Sequence, residues 1–232
     1  MMWFSTTAVE TVFDLSLVVA SIEGISYALP MKQDLWKYEL KARDQGYKLV
    51  AGVDEAGRGP LAGPVVAAAV VLPIDVDFEG LDDSKKLSAS KREQLFPILQ
   101  KMVHGVSVID REVIDEINIL QSARLAMKQA VEKLSKGPDL LLIDGNQKID
   151  SSIKQWPIVK GDSKSFSIAA ASVLAKVTRD RIMDDYHNLY PQYEFTRHKG
   201  YGTKLHRYLI AEHGPCPIHR RTFKGVTEYI SE

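Results

Sequence analysis

The segment 47–72 most strongly limits how this chain can fold. An apolar run from Tyr47 to Val53 leads into Asp54-Glu55 and then into a glycine-rich turn. The stretch after the turn, 64–72, is almost wholly apolar and is bounded by prolines, as expected of a buried strand. We therefore predict two neighbouring strands, joined by a short loop that begins with two acidic residues.

The rest of the chain alternates between helical and strand patterns. A charged helical pattern begins at Met31 and ends near Arg43, and Ser88 or Ser90 is the candidate N-cap of the next helix. Strands first, then alternating strands and helices, favour an α/β sandwich with a mixed sheet. Further helices are predicted at 88–103, 111–136, 165–189 and 203–213, and further strands at 106–109, 139–144 and 156–160.

Length and composition indicate one large globular domain, or a domain with a small appendage. The chain has 232 residues, of which 45% are hydrophobic. Its only cysteine, Cys216, excludes an internal disulfide and fits a reducing compartment such as the cytoplasm. Three acids interrupt the apolar segment 8–29, so we predict neither a signal peptide nor a membrane span.

The N-terminal segment 1–30 shows no clear periodicity. It is either a variable helix that packs on the surface or an upstream extension that activity does not need, in which case Met31 is the real start. The sequence leaves these two alternatives open.

Charge is balanced overall but unevenly distributed. Lys plus Arg and Asp plus Glu each total 30. The segment from Arg197 to Lys224, however, holds seven basic residues against the single acid Glu212, together with four of the six histidines. We therefore expect a basic, helical C-terminal segment from about residue 190, of the kind that contacts nucleic acid.

The acidic pair Asp54-Glu55 and the glycines after it are the most informative residues. Adjacent strand residues point to opposite faces, so both acids reach one site only if the strand ends or bulges there. Glycine permits a close backbone approach to a ligand, so Gly57, Arg58 and Gly59 are candidates to present N–H groups to a sugar hydroxyl or a phosphate. The alternative is an ordinary surface turn with solvated acids.

Two further acids occupy comparable positions. Asp144 closes the apolar run 140–143, although Asp-Gly-Asn also forms ordinary turns. Asp162 precedes the alanine-rich helix, where a carboxylate is also favoured by the helix dipole. Together, Asp54, Glu55, Asp144 and Asp162 form a set of hard oxygen ligands that suits Mg²⁺ or Mn²⁺. Two such ions, about 3.5–4 Å apart, promote in-line displacement at phosphorus, so phosphodiester cleavage is the natural hypothesis.

At this point the sequence resembles a known family. The stretch Gly52-Val-Asp-Glu-Ala-Gly-Arg-Gly-Pro-Leu-Ala-Gly-Pro64 resembles the signature of type 2 ribonuclease H, specifically bacterial ribonuclease HII. The resemblance extends from about 47 to 226 and leaves out residues 1–30. Further matches follow in order: Asp83-Ser-Lys-Lys-Leu-Ser88, Ile143-Asp-Gly-Asn146, Lys160-Gly-Asp162, Ser167-Ile-Ala-Ala-Ala-Ser172, Ala175-Lys-Val-Thr-Arg-Asp180, His198-Lys-Gly-Tyr-Gly-Thr203, Gly214-Pro215 and His219-Arg220.

The resemblance implies an α/β fold: an RNase H-like mixed five-stranded sheet flanked by helices, with a C-terminal helical segment, spanning 31–232. It implies that the four acids are catalytic and bind two Mn²⁺ or Mg²⁺ ions. The Gly57-Arg58-Gly59 turn would recognise the ribose 2′-OH, the group that distinguishes RNA from DNA. Tyr201 would contact that hydroxyl and stack on the next deoxy sugar, unless it is simply a half-buried loop tyrosine.

The predicted activity is hydrolysis on the 5′ side of ribonucleotides, in RNA/DNA hybrids or singly embedded in DNA duplexes, giving 3′-hydroxyl and 5′-phosphate ends. We expect a cytoplasmic monomer with no membrane contact and no identified protein partner. Substrate-binding candidates also include Lys85, Lys86 and Lys164. Together with Lys176, Arg197, Lys199, Lys204, Arg220 and Arg221 they form a set of cations, about half of which we expect to touch phosphates.

Three alternatives compete with parts of this interpretation. Another nuclease on the same fold, such as a junction resolvase, would share the acids but not the glycine loop that reads the 2′-OH. A non-catalytic hybrid-binding module would have lost at least one acid, and this chain keeps all four. A zinc site at His213, Cys216 and His219 is disfavoured because only three ligands are present and two prolines interrupt them. A basic turn packing near nucleic acid is the preferred interpretation of that segment.

Overall fold

The computed structural model describes residues 33–74, 81 and 87–230. The predicted N-terminal extension, the start of the first helical pattern at Met31, and Lys85 and Lys86 lie outside the described residues. The helices are α1 (Gln33–Asp44), α2 (Ala89–Leu99), α3 (Arg111–Glu132), α4 (Phe166–Leu189), α5 (Phe195–His198) and α6 (Lys204–His213). The strands are β1 (Val50–Ala56), β2 (Val65–Val71), β3 (Val103–Ile109), β4 (Leu140–Asp144) and β5 (Lys154–Ile158).

The five strands form one mixed sheet in the order β3-β2-β1-β4-β5, as predicted. The β1–β2 and β2–β3 pairs are antiparallel, whereas β1–β4 and β4–β5 are parallel. In the parallel pair of β1 and β4, Val53 lies opposite Ile143. The next residues, Asp54 and Asp144, therefore meet at the carboxyl edge of the sheet, where open α/β sheets bind ligands.

Helices cover both faces of the sheet. On one face α4 packs against β1 and β2, and the predicted alanine stretch Ala169–Ala171 is fully buried there. Contact is closest at Gly52, where an added Cβ would lie 2.0 Å from the carbonyl carbon of Ser167. Helix α3 packs on the other face through Ala126 and Ala130. Small residues thus let the helix that follows the turn at Asp162 lie directly against the strand of Asp54.

Some predicted boundaries were wrong. Strand β1 begins at Val50 and continues to Ala56, so the two acids lie within the strand and not after it. Helix α2 ends at Leu99 and β3 already begins at Val103, while β5 occupies Lys154–Ile158 and not 156–160. The residues where these helices and strands meet their loops are polar or glycine-rich, so hydrophobic periodicity alone does not locate the element boundaries.

Helix α3 is broken at Asn118, which the sequence interpretation did not anticipate. Asn118 has a positive φ of 67°, and its Oδ1 accepts the N–H groups of Leu120 and Gln121 at 3.0 and 3.1 Å. With its ψ of 162°, Asn118 has a backbone conformation that residues other than glycine rarely adopt, and its side chain caps the helix that resumes after it. α3 is therefore two helical segments joined by a capped kink.

The C-terminal segment after α4 folds over the carboxyl edge of the sheet. It contains the short 3₁₀ turns Pro191–Tyr193 and Thr227–Tyr229 together with α5 and α6. Tyr193, Phe195 and Leu209 pack with Ala62 and Met183, so the predicted helical segment from about 190 is joined to the β1–β2 loop by its own small core. Among the described helices, none is long and apolar enough to cross a bilayer.

Candidate active site

Asp54 and Glu55 occupy opposite faces of β1 near its end. Asp54 faces α4 and is only 5% exposed, and its Oδ1 accepts the N–H of Glu55 at 2.7 Å. Glu55 is half-buried, and its Oε1 lies 3.2 Å from Nη1 of Arg58. Because only one residue follows Glu55 in the strand, both carboxylates still reach the same edge of the sheet.

Asp144 is the last residue of β4, beside Asp54. Its Oδ1 accepts the N–H of Gly161 at 2.6 Å. Burial raises the pKa of Asp54 well above its ordinary value, and the negative charges of Glu55 and Asp144 raise it further. Burial also raises the pKa of Glu55, against the lowering effect of Arg58. Three acids therefore share one confined region with an excess of negative charge.

Asp162 lies in the 3₁₀ turn Gly161–Ser163, just before α4, and is 1% exposed. The preceding residue, Gly161, bonds to Asp144, so the turn of Asp162 is attached to the end of β4. The turn of the fourth predicted acid is therefore bonded to the strand end that carries Asp144. The side chain of Asp162 does not line the cleft at this edge of the sheet.

A cleft of about 470 Å³ opens at this edge of the sheet. It brings together most of the predicted site residues, and also Arg92 and Ser172, which the sequence interpretation did not single out. Its lining consists of Asp54, Glu55, Ala56, Gly57, Arg58, Gly59, Arg92, Asp144, Ser172, Lys176 and Tyr201.

The glycine loop, which we define as residues 57–64, is held from beneath by Arg220. This side chain is fully buried, and its guanidinium donates to five carbonyl oxygens at 2.6–3.2 Å, those of Gly57, Arg58, Pro60, Gly63 and Pro64. Burial lowers the pKa of Arg220 to about 9, which leaves it charged at neutral pH. Arg220, one of the nine candidate phosphate contacts, is therefore not among those that reach a phosphate, because its five donors are used inside the protein.

A second buried arginine, Arg179 of α4, completes this support. It donates to the carbonyls of Pro64, Lys199 and Ala62 at 3.0–3.1 Å. Gly57 has a φ of 100°, and an added Cβ would lie 2.1 Å from Nε of Arg179. Only glycine therefore fits at this position, both for its backbone conformation and for its distance from Arg179.

The direction of these carbonyls determines the direction of the loop amides. In a trans peptide the C=O and the following N–H point to opposite sides. Since the carbonyls of Gly57 and Arg58 point to Arg220, the N–H groups of Arg58 and Gly59 point away from it, on the side of the cleft. The loop is thus a rigid row of donors above two buried positive charges, an arrangement that favours a hydroxyl or an anion.

Tyr201 stands across the cleft from the glycine loop. Its side chain is 43% exposed, and the nearest atom to a Cβ added at Gly59 would be its Cε1, at 3.7 Å. The Nζ of Lys176 lies 5.9 Å from the ring centroid. The ring therefore lies beside the loop and is partly exposed, as a stacking surface requires.

The remaining predicted cations are dispersed. Lys164 is exposed and donates to the carbonyl of Val159 at 2.8 Å, outside the cleft, whereas Lys176 lines the cleft and pairs with Asp180 at 2.7 Å. Lys199 is paired with Asp184 and Arg197 with Glu194. Lys204 and Arg221 are exposed. Of these side chains, Lys176 alone adjoins the acids.

The donor chemistry of the cleft fits a divalent cation, because the buried carboxylates of Asp54 and Glu55 both have raised pKa values, even though Arg58 pairs with Glu55. In the described part of the chain, however, no three acidic, histidine or cysteine side chains converge on one point. The side-chain positions explain this, since Glu55 turns to Arg58 while Asp54 and Asp144 each bond a backbone N–H. His213, Cys216 and His219 likewise form no such group.

The residues that sequence reasoning missed are mainly those that shape the site and not those that line it. Arg179 interrupts the apolar face of α4 four residues after Ala175 and four before Met183, which was a visible signal for a buried cation. Arg220 gave no such signal, because its partners lie some 160 residues away, with Gly57 separated from it by 163 positions.

Comparison with solved structures places this fold in the class of type 2 ribonucleases H. Ribonuclease H2 from Pyrococcus horikoshii superposes with a TM-score of 0.66 and 27% identity, over 78% of this chain and 97% of that one. Archaeoglobus fulgidus RNase HII, solved in a complex with PCNA, superposes with a TM-score of 0.65 and 26% identity, over 76% of this chain and 96% of that one. The fold is also similar to that of Bst-RNase HIII, solved with Mn²⁺, with a TM-score of 0.58 and 19% identity, over 82% and 71%.

Sequence comparison narrows the class to one family. The ribonuclease HII family model matches residues 51–226. Ribonuclease HII of Geobacter sulfurreducens is 54% identical over 200 residues, which cover 85% of this chain and 92% of that protein. The Acetivibrio thermocellus ribonuclease HII is 57% identical over 188 residues, which cover 80% of this chain and 73% of that protein. The chain therefore belongs to the ribonuclease HII family and is a hydrolytic nuclease, as the sequence motifs predicted.

Proposed function

We propose that this enzyme hydrolyses the phosphodiester on the 5′ side of a ribonucleotide, both in RNA/DNA hybrids and where single ribonucleotides are embedded in duplex DNA. The products are a 3′-hydroxyl and a 5′-phosphate. The observation that carries the proposal is the shared cleft, in which the acids of β1 and β4 lie beside the glycine loop and the exposed ring of Tyr201. A site that cut phosphodiesters without recognising the sugar would need neither the glycine loop nor the ring of Tyr201.

Asp54, Glu55, Asp144 and Asp162 are proposed to hold two divalent cations, Mg²⁺ or Mn²⁺. When bound, such ions supply Lewis-acid charge at the phosphate and lower the pKa of a water molecule. The chain contributes the positions of the carboxylates. One oxygen each of Asp54 and Asp144 is fixed by a backbone N–H, which orients the second oxygen. Glu55 would hold the same ions if it left Arg58, whose side chain is 53% exposed and easily rehydrated.

Recognition of the ribose is proposed to rest on the glycine loop. The N–H groups of Arg58 and Gly59 lie on the cleft side, and the buried charges of Arg179 and Arg220 make that side attractive to a hydroxyl oxygen and a phosphate. A deoxyribose would leave these donors without their partner, which is the kind of loss that gives strong discrimination. Tyr201 then stacks on the following sugar and favours a junction from RNA to DNA.

Partners and location complete the proposal. We infer a monomer acting in the cytoplasm, for which the unpaired Cys216 is the supporting feature. Because the Archaeoglobus relative was solved with PCNA, a clamp of that kind is the first protein partner to test, by gel filtration of the mixed proteins.

The test is cleavage of a labelled DNA duplex that holds one ribonucleotide, beside an all-DNA duplex and an RNA/DNA hybrid, each with Mg²⁺, Mn²⁺ or EDTA. We expect incision only 5′ of the ribonucleotide and none in EDTA. Cleavage of long hybrids alone would remove the role given to Tyr201. Cleavage of the all-DNA duplex would favour a resolvase, and failure to cut any substrate that contains RNA would overturn the proposal.

A further inference from the structure

Three buried histidines lie behind Tyr201, and the mechanism above does not use them. His198, His206 and His219 are 7%, 0% and 1% exposed. The rings of His198 and His206 are stacked with centroids 4.3 Å apart, and Nε2 of His206 lies 3.0 Å from Nε2 of His219. A contact between two ring nitrogens requires that one of them donates and the other accepts, so both rings cannot have the same role.

The backbone partners determine which ring donates. Nδ1 of His219 lies 2.9 Å from the N–H of Cys216 and 3.1 Å from its Sγ, both closer than the Cys216 carbonyl oxygen at 3.3 Å, so we assign this nitrogen as an acceptor and the proton of His219 to Nε2. His219 therefore donates to Nε2 of His206. The proton of His206 is then on Nδ1, which faces the carbonyl oxygen of Tyr201 at 3.0 Å.

His198 holds the same residue from its other side. Its backbone carbonyl accepts the N–H of Tyr201 at 2.8 Å. Its Nδ1 accepts the N–H of Gly200 at 3.2 Å, so its Nε2 donates to the carbonyl of Tyr193 at 2.8 Å. Both backbone groups of Tyr201 are therefore bonded to this histidine cluster.

The assignment requires neutral rings, and burial provides them. Burial lowers the pKa of His206 to about 3 and that of His219 to about 4. At neutral pH the chain of hydrogen bonds therefore runs in one direction, from Cys216 through His219 and His206 to Tyr201. Every nitrogen of the three rings has a partner that fits its role.

We propose that His206 and His219 are positioning residues for Tyr201, acting through this one-directional chain, which fixes the ring of Tyr201 over the glycine loop. The catalytic consequence rests on the function proposed above, whereas the hydrogen-bond chain itself does not. His206 acts directly on the Tyr201 carbonyl, and His219 acts by holding His206 in the Nδ1–H form.

The hydrogen-bond chain is tested first by NMR of the full-length, ¹⁵N-labelled protein at pH 7, since long-range ¹H–¹⁵N spectra distinguish the two neutral forms of histidine. We expect His206 as the Nδ1–H form and His198 and His219 as Nε2–H forms. An Nε2–H or a doubly protonated His206 would overturn the chain. This result is independent of whether the protein cleaves any substrate.

The positioning role is tested with a double-mutant cycle. His219→Phe keeps an aromatic ring but leaves His206 without a donor, whereas His219→Gln keeps an amide donor. We expect His219→Phe to lower kcat on the single-ribonucleotide duplex by about 10-fold, since misplacement by 1 Å can cost as much as about 100-fold. His219→Gln is expected to restore most of that loss, with KM nearly unchanged in both variants.

The same pair is then made in a Tyr201→Ala background. If His219 acts through Tyr201, the effect of His219→Phe should largely disappear there. An equal fold-loss in both backgrounds would show a merely structural role and overturn the proposal. If Tyr201→Ala alone changed nothing, the proposed role of Tyr201 would fail while the NMR result still decided the chain. If His219→Phe does not fold, His219→Gln and the NMR spectra carry the test.

Discussion

Gly161 donates its backbone N–H to Oδ1 of Asp144 at 2.6 Å and thereby joins the end of β4 to the turn that carries Asp162. An added Cβ at Gly161 would lie 2.5 Å from Cδ1 of Ile168 and 3.3 Å from that same carboxylate oxygen. The turn is therefore seated between the sheet and α4, and the four proposed metal ligands form one connected structure.

Removal of one carboxylate should nearly abolish cleavage. Asp144→Asn keeps an oxygen that accepts from Gly161 but removes the charge, so we expect the fold to persist and kcat to fall by at least about 100-fold. Substitutions in the outer shell of metal sites already cost about 10–100-fold. Gel assays of single-ribonucleotide cleavage and circular dichroism measure the two effects.

Asp150→Asn is the matched control for this variant. Asp150 is exposed and pairs with Lys128 at 2.6 Å on the surface, away from the cleft. Its substitution should leave the rate unchanged. Turnover of Asp144→Asn close to that of the control would contradict the assignment of Asp144.

In EDTA the stability of the protein should depend on Asp54. Because the pKa of Asp54 is raised on folding, its folded form binds a proton more tightly than the unfolded chain does. Asp54 contributes its full stabilisation below about pH 3.8, which is the ordinary pKa of an aspartate. This stabilisation is lost as the pH rises through the higher pKa that Asp54 has in the folded protein. We therefore expect Asp54→Asn to be more stable than the wild type at pH 7 and equal to it near pH 3.

Added Mg²⁺ or Mn²⁺ should reverse this order. A ligand present at 100 times its Kd stabilises the native state by about 2.7 kcal/mol. Thermal unfolding in EDTA and in metal measures both effects. A wild type that is more stable than Asp54→Asn in EDTA would show that the carboxylate is compensated within the protein and would contradict the metal assignment.

Arg220 should be required for the conformation of the glycine loop. Arg220→Lys supplies one nitrogen in place of a planar group that reaches five carbonyls. Each buried acceptor left without a donor costs about 1–3 kcal/mol, so we expect unfolding free energy to fall by about 3 kcal/mol or more. Cleavage of RNA-containing duplexes should fall together with discrimination against DNA. Urea unfolding and the three-substrate assay measure these changes.

Arg181→Lys, on an exposed arginine of α4 that pairs with Glu93, is the matched substitution and should be neutral in both assays. If Arg220→Lys kept wild-type stability and substrate discrimination, the guanidinium would not be what holds the loop.

Glu39 of α1 should support the turn of Asp162 from the opposite side. Its carboxylate is 1% exposed, and it accepts Oγ–H of Ser165 at 2.6 Å and N–H of Ser167 at 2.9 Å. Loss of an N-terminal helix partner costs about 1–2 kcal/mol, so Glu39→Ala should lower unfolding free energy by about that amount and weaken metal binding. Calorimetric titration with Mn²⁺ measures the latter.

Glu39→Gln keeps both acceptor contacts and removes a buried charge whose pKa is raised by desolvation. It should therefore bind metal like the wild type and be at least as stable. If Gln were as harmful as Ala, the charge of Glu39, and not its hydrogen bonds, would be responsible.

The sequence was sufficient to predict features that depend on residues close together in the chain. The apolar runs before Asp54 and Asp144 predicted acids at one sheet edge, and the glycines at 57 and 59 predicted a close backbone approach. It was insufficient where the constraint is distant. Neither the break at Asn118 nor the five carbonyl partners of Arg220 follow from periodicity, since the first depends on a side-chain cap and the second on which loop carbonyls lack donors.

The span from Gly57 to Arg220 also bears on when the enzyme becomes active during its synthesis. The glycine loop is made early, but the cation that shapes it is 163 positions further along the chain. A growing polypeptide that has already released β1, β4 and all four acids from the ribosome still lacks this support. Nascent chains should therefore be unable to discriminate RNA from DNA until Arg220 has emerged, which delays selective cleavage well beyond the synthesis of the acids.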